Sequence, residues 1–170
     1  MDYPIKRADD AANLYREGAV VPIRFALRED IPALVELGAR MHALTRFKTQ
    51  EYNRQKVAQT LADLVSSTKN KYVLFVAESA NGQVAGALVG VLEQQIFSDA
   101  MVASVMHFDV LPEYRMGGYG LRLIKAFEQW AKNRKVIEVQ FGVNSEVDMD
   151  KIGEFAVRLG YRRVGGNYVK

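Results

Sequence analysis

The stretch "LPEYRMGGYG", Leu111 to Gly120, lies between "MHFDV" (Met106–Val110) and "LRLIKAFEQWAKNRK" (Leu121–Lys135). Gly117, Gly118 and Gly120 crowd the point where a helix is about to begin. Glycine weakens a helix interior by roughly 1 kcal/mol relative to alanine, so this start needs a reason. The context is a strand-to-helix turn. Free backbone N–H groups and the positive end of the helix converge there. A phosphate binds such a terminus well when no side chain blocks its approach. Arg115 precedes the turn, Arg122 and Lys125 follow it, and no acidic residue occupies the first turns. Acidic residues are normally favoured at that place, so the inversion points to an anion supplied by a ligand. The other reason for such glycines is close packing of strand on helix.

Known phosphate loops narrow the choice. A P-loop needs Gly-Lys-Ser/Thr, which is missing. A dinucleotide fold needs G-x-G-x-x-G after an early strand and a ribose-binding acid about 20 residues later. Here the pattern is G-G-x-G, late in the chain and after an array of strands.

Upstream of the turn, "VPIRFAL" (Val21–Leu27) reads as a strand. Asp30 is the expected N-cap of a helix with Pro32 in its first turn. Ile31, Leu34, Val35, Leu37 and Met41 give that helix its apolar stripe. A second helix is expected from about Glu51, with Val57, Leu61, Leu64 and Val65 on one face. "KYVLFVAE" (Lys71–Glu78) and "QVAGALVGVLEQQIF" (Gln83–Phe97) are strand-like, and Asn81–Gly82 between them is a strong hairpin signal. "MVASVMHFDVL" (Met101–Leu111) is a third strand. Beyond the glycines a helix runs from Gly118 to about Asn133. "VIEVQFGV" is a strand, "DMDKIGEFAVRLG" a helix closed by Gly160, and "YRRVGGNYVK" (Tyr161–Lys170) a short terminal hairpin.

The predicted fold is α/β: one domain with a mixed, mostly antiparallel sheet flanked by helices. It spans residues 21–170, with residues 1–20 as an N-terminal extension holding one short helix around Asp9–Ala19.

Composition bounds the function. The 170 residues are 49% hydrophobic and 25% charged, with a net charge of +3. That fits one soluble globular domain leaning mildly toward anionic ligands. The basic residues are dispersed and no recognition motif accompanies them, which argues against nucleic-acid binding. No cysteine occurs. Disulfides, thiolate zinc sites and an acyl-cysteine mechanism are thereby excluded. The two histidines, His42 and His107, lack metal-ligand spacing, so no metal is expected. No membrane span or signal peptide is legible, and a cytoplasmic location is expected. The hairpin edge and apolar strands would permit a homodimer.

Arg115, Gly118 and Gly120, preceded by Val110, Pro112, Glu113 and Tyr114, give the chain a resemblance to the Gcn5-related N-acetyltransferase (GNAT) superfamily. Its signature is R/Q-x-x-G-x-G/A at a strand-to-helix turn, often after V-x-P-E-Y. The order of elements agrees from about Pro22 to Lys170, and "RLGYRRVG" is similar to the late L-G-F/Y segment. The resemblance implies acetyl-CoA as acyl donor and an amine of unidentified kind as acceptor. The backbone N–H groups of Arg115, Met116, Gly117, Gly118, Tyr119 and Gly120 would hold the pyrophosphate. The Val110 N–H would face the thioester oxygen as an oxyanion donor. Pantetheine would lie between this strand and the one ending near Gly142–Asn144, with Asn144 matching an asparagine often found there.

The family's acid and base positions are altered. A tyrosine that protonates the leaving thiolate is replaced by Ala156, and a strand glutamate by Gly142. Such a change would leave catalysis to positioning and the oxyanion donor alone. Otherwise His107 and Asp109, sharing one strand face, act directly or through water, or they pair structurally. Tyr168 is a further proton-donor candidate. Acceptor contacts are expected from "RMHALTRFK" (Arg40–Lys48), with His42, Arg46 and Phe47 as candidates. A rival reading keeps the CoA site on a catalytically weak regulatory or docking protein.

Overall fold

The computed structural model describes residues 22–67 and 71–170, so the short helix expected around Asp9–Ala19 lies outside the described residues. Five strands, β1 (Ile23–Phe25), β2 (Tyr72–Glu78), β3 (Val84–Gln94), β4 (Met101–Val110) and β5 (Glu138–Phe141), form one sheet in that order. Neighbours from β1 to β4 run antiparallel, and β5 runs parallel to β4. Helices α1 (Ile31–His42) and α2 (Arg54–Ser66) cover one face. Helix α3 (Tyr119–Lys132) covers the other, joined by α4 (Met149–Arg158) through Phe155 and Leu159. No helix among the described residues is long and apolar enough to cross a membrane.

Sequence dictates these layers directly. β2 and β3 are apolar on both faces because both are covered. Val73, Phe75, Ala77 and Leu88 meet α3, while Leu74, Val76, Ala87 and Val89 meet α1 and α2. The stripe Leu123, Ile124, Ala126, Phe127, Trp130 and Ala131 buries α3 at helical spacing. Gly90 lets α3 approach: a Cβ there would lie 2.2 Å from Cε2 of Phe127. The hairpin between β2 and β3 turns at Gly82, whose φ of 78° suits the expected Asn-Gly turn.

Three local expectations change. Asp30 precedes α1, but its side chain does not cap that helix. It accepts from Arg24 Nη1 (2.7 Å), Arg24 Nη2 (2.9 Å) and the Leu27 N–H (2.7 Å) instead. Arg24 also reaches Glu78 at 3.0 Å, so β1, β2 and the start of α1 share one half-buried ionic knot. Helix α2 starts at Arg54, where the Asn53 side chain caps it by accepting from Lys56 N–H. The terminal hairpin does not form: residues 161–170 contain no strand. Its arms are short, carry Arg162 and Arg163, and find no third strand, and an isolated two-stranded ribbon is marginal in water.

One irregularity decides what β4 displays. Val89 pairs with His107 and Gly90 with Val105, leaving Met106 unmatched as a bulge. Before it, Ala103 and Val105 face α3; after it, Phe108 and Val110 do. The extra residue shifts the alternation by one, so His107 and Asp109 turn to the α1 face, opposite Val89 and Ala87.

Candidate active site

The site lies at the C-terminal end of β4. Antiparallel partners alternate in which edge their backbone groups face. Asp109 pairs with Ala87, and the Leu111 N–H donates to the Ala85 carbonyl at 3.0 Å. Val110, between them, therefore turns its N–H and C=O toward β5. Pairing with β5 ends at Val105–Phe141, so those groups look into a gap between diverging strands.

Beside this gap the chain makes a tight 3-10 stretch, Pro112–Gly117, and enters α3 through Gly118. Gly118 has φ 76°, the left-handed region that favours glycine, and an added Cβ would meet nothing within 4 Å. Gly120 serves packing, since a Cβ there would stand 3.1 Å from Phe108 Cζ. At Gly117 an added Cβ would strike the Tyr119 ring, which is itself set edge-on to Tyr114. Met116 is exposed. No side chain caps α3, and its first turn holds no acidic residue. The turn thus offers open N–H donors with a positive end and no competing carboxylate, which suits a phosphate.

Arg115 does not simply project beside the turn. Its Nε donates to the Val110 carbonyl (3.3 Å) and its Nη1 meets Asp148 Oδ2 (3.2 Å). Asp148, at the start of α4 with φ 48°, also meets Lys151.

On the α1 face, Asp109 is set back in the fold and its side chain has no hydrogen bond or ion pair among the described residues. Burial pushes its carboxyl above the usual range, against the opposing charges of His107 and Arg115. His107 is exposed beside it. Between α1 and α2, Tyr52 donates to the Val35 carbonyl at 3.0 Å, and its ring lies 5.3 Å from that of His42. Arg40 of α1 binds both carboxylate oxygens of Glu113 at 3.0 Å, tying α1 to the 3-10 stretch.

Arg46, Phe47 and Asn144 meet in an unexpected way. The Arg46 guanidinium lies over the Phe47 ring, and its Nε donates to the Asn144 carbonyl at 2.8 Å. The Arg46 N–H donates to the Ser145 carbonyl, so the link between α1 and α2 is pinned to the loop after β5. Tyr168 is exposed in the terminal segment and has no side-chain partner there. Ala156 on α4 and Gly142 just after β5 put no acid or base at the two positions the resemblance singles out. Tyr52, Asp148 and Ser145 escaped sequence reasoning; the one signal was Gly38, a glycine inside an otherwise regular helix. A separate cleft on the other flank of α1, by Glu36, Arg40, Gln83 and Val84, contains none of the candidate residues.

A mixed sheet that splays beside a glycine-turned helix start is an architecture shared with acetyltransferases of known structure. A family model described as "Acetyltransferase (GNAT) family" matches residues 39–164, and the chain belongs to that family. Solved structures agree in fold. A transcriptional regulator from Bacillus halodurans C-125 is similar with a TM-score of 0.73 at 16% identity, covering 89% of this chain and 99% of its own. The aminoglycoside antibiotic 6'-N-acetyltransferase AAC(6')-Ih from Acinetobacter baumannii gives 0.68 at 18% identity, covering 89% and 97%. Glucosamine-6-phosphate N-acetyltransferase from Arabidopsis thaliana gives 0.70 at 14% identity, with the same coverages of 89% and 97%. Among curated proteins none matches the chain by sequence.

Proposed function

We propose that the protein transfers an acetyl group from acetyl-CoA to a primary amine by direct attack in a ternary complex. The observation that carries this reading is the pairing of Val110 with the α3 start. A backbone N–H faces the gap between β4 and β5, and an uncapped helix terminus lies next to it. The backbone from Arg115 to Gly120 would hold the pyrophosphate, with pantetheine running past Val110 toward Asn144. The Val110 N–H would then sit where negative charge grows on the thioester oxygen.

Asp109 supports a route for the proton. An acceptor arrives as an ammonium ion and must lose one proton before its nitrogen can attack. A carboxylate held above the usual range is better matched to that task than an ordinary one. Nitrogen then bonds to the acetyl carbon and the carbon–sulfur bond breaks; the nitrogen releases its second proton to solvent to become an amide, and the departing CoA thiolate takes one up from solvent. His107, exposed on the same face, would pass the proton outward. The absence of cysteine agrees with a route lacking an acyl-enzyme.

Calorimetric titration with acetyl-CoA and CoA tests the reading, using wild type, Gly118→Glu and Gly118→Asn. Glutamate should abolish binding by charge. Asparagine tolerates the left-handed backbone and should retain most of it, separating charge from strain. Failure of wild type to bind either ligand overturns the assignment. A second reading, a CoA-binding protein with little catalysis, is favoured by Ala156 and Gly142. Acetyl-CoA consumption across a panel of primary amines discriminates, since a pure binder consumes none.

A further inference from the structure

Arg24, Arg40, Arg54 and Arg115 each meet a carboxylate: Asp30 with Glu78, Glu113, Glu36 and Asp148 in turn. Arg46 meets none among the described residues. It is half-buried in the link between α1 and α2, and its side chain spends one donor, Nε, on the uncharged Asn144 carbonyl at 2.8 Å. The Phe47 ring covers one face of the guanidinium, its centroid 4.2 Å from Cζ. The two Nη groups have no partner among the described residues. Glu146, next along the loop that Arg46 holds, is exposed and makes no ion pair with it. The stack and the carbonyl fix the plane of the guanidinium. Its Nη edge is therefore a preset fork of donors with uncompensated charge. A carboxylate fits such an edge by two parallel hydrogen bonds.

This fork stands on the rim of the gap beside Val110. Pairing of β4 with β5 stops at Val105–Phe141, and the loop that follows carries Asn144 and Ser145. The Arg46 N–H holds the Ser145 carbonyl at 3.0 Å. The same loop ends at Asp148, which Arg115 ties back to the Val110 carbonyl. The contacts from Val110 through Arg115 to Asp148, and from Ser145 to Arg46, thus border one opening. Arg46 joins the two helices of the face that carries Asp109 and His107, whereas α3 belongs to the other face. An anion held by Arg46 is thereby separated from one held at the α3 start.

We infer that Arg46 is a specificity-determining residue that receives a carboxylate of the acceptor while the acceptor's amine enters the gap. The inference deepens the acetyl-transfer reading and rests on it for the amine. The preferred acceptor is then a zwitterion with its amine and its carboxylate at separate ends. Lys48, exposed in the same 3-10 turn (Arg46–Thr49), adds positive charge to this side. An acceptor with a second ammonium in place of the carboxylate is repelled there.

The test is NMR of the full chain, with and without CoA, observing the Arg46 Nε–H signal and the Phe47 ring. The probes are hexanoate, hexanol and methylphosphonate. Hexanoate should shift both signals saturably, and hexanol should shift neither. Arg46→Lys keeps the charge but not the fork, and the backbone bond to Ser145 survives it. Hexanoate binding read at the Phe47 ring should weaken about tenfold in that variant. With acetyl-CoA, straight-chain ω-amino acids are compared with alkylamines of equal length. The best amino acid should exceed its alkylamine about tenfold in kcat/KM, and Arg46→Lys should bring the two toward parity. No hexanoate shift, or an equal one with hexanol, overturns the carboxylate site. Undiminished binding by Arg46→Lys overturns the fork, and tighter binding of methylphosphonate assigns it to a phosphate instead. Displacement of hexanoate by CoA would place Arg46 in the cofactor site and also overturn the inference. Alkylamines used as well as amino acids would remove Arg46 from acceptor choice. A hexanoate response with no amine acetylated would sink the acetyl-transfer reading and leave the carboxylate site standing.

Discussion

Arg115 and Asp148 are bridged across the mouth of the gap between β4 and β5, with Nη1 and Oδ2 3.2 Å apart. The same guanidinium holds the Val110 carbonyl, so a basic residue beside the proposed pyrophosphate turn is already occupied. Pyrophosphate would compete with Asp148 for that charge. The pair is partly exposed, and such pairs contribute about 0–1 kcal/mol. Asp148→Asn should therefore tighten acetyl-CoA binding by roughly two- to fivefold in titration calorimetry. Arg115→Ala should weaken it. An unchanged dissociation constant in both variants would remove Arg115 from the cofactor site.

Asp109 has the opposite sign of pH linkage from a salt-bridged carboxylate. Its folded-state pKa lies above its unfolded value, so the folded chain binds the proton more tightly. Ionising it costs stability that is intact below the unfolded pKa and is lost as pH rises toward the folded one. Asp109→Asn should accordingly raise Tm at neutral pH, with the gain fading below about pH 4. The same variant should lower kcat/KM and abolish the acid limb of its pH profile. Loss of activity without stabilisation would contradict the buried, unpartnered carboxylate.

Asp30 provides the contrast. Burial works against its ionisation, but Arg24 and the Leu27 N–H outweigh that and hold its carboxyl below the usual range. A depressed folded pKa contributes stability above the unfolded value and loses it as pH falls through the folded one. Removing one member of a buried pair typically costs about 3–5 kcal/mol. Asp30→Ala should approach the lower part of that range in urea unfolding near neutral pH. Its stability should also depend less on pH in the acid region than that of wild type.

Gly90→Ala probes the seat of α3. Phe127 is fully buried and its ring edge would lie 2.2 Å from the new methyl. Overpacking of this kind costs about 1–3 kcal/mol. Urea midpoints should fall accordingly. A neutral result would mean that α3 shifts freely on the sheet.

Much of this fold was legible because its signals are local. Asn81–Gly82 turned the β2–β3 hairpin, and the stripe from Leu123 to Ala131 seated α3. Arg115, Gly118 and Gly120 carried the resemblance to the family, and the family match over residues 39–164 bears it out. The terminal hairpin was misread for the same reason that others were read well. Gly165–Gly166 is a good local turn signal, but strands need a partner, and Tyr161–Lys170 find none. Tyr52 was invisible because its partners Val35, Gly38 and His42 come from another helix at no spacing that sequence periodicity records. The Arg115–Asp148 bridge likewise joins residues separated by a strand and a helix.

Met106 has a consequence for how this site tolerates change. Its side chain is 52% exposed, and replacement by many residues should pass without effect. Deleting it should be tolerated as well. The pairs on either side, Gly90 with Val105 and Val89 with His107, close up without a change of partner. Asp109 stays opposite Ala87 on the α1 face, and Val110 stays opposite Gly86 beneath α3. The bulge is slack in the strand: one position can be lost here while the carboxylate and the Val110 N–H keep their places.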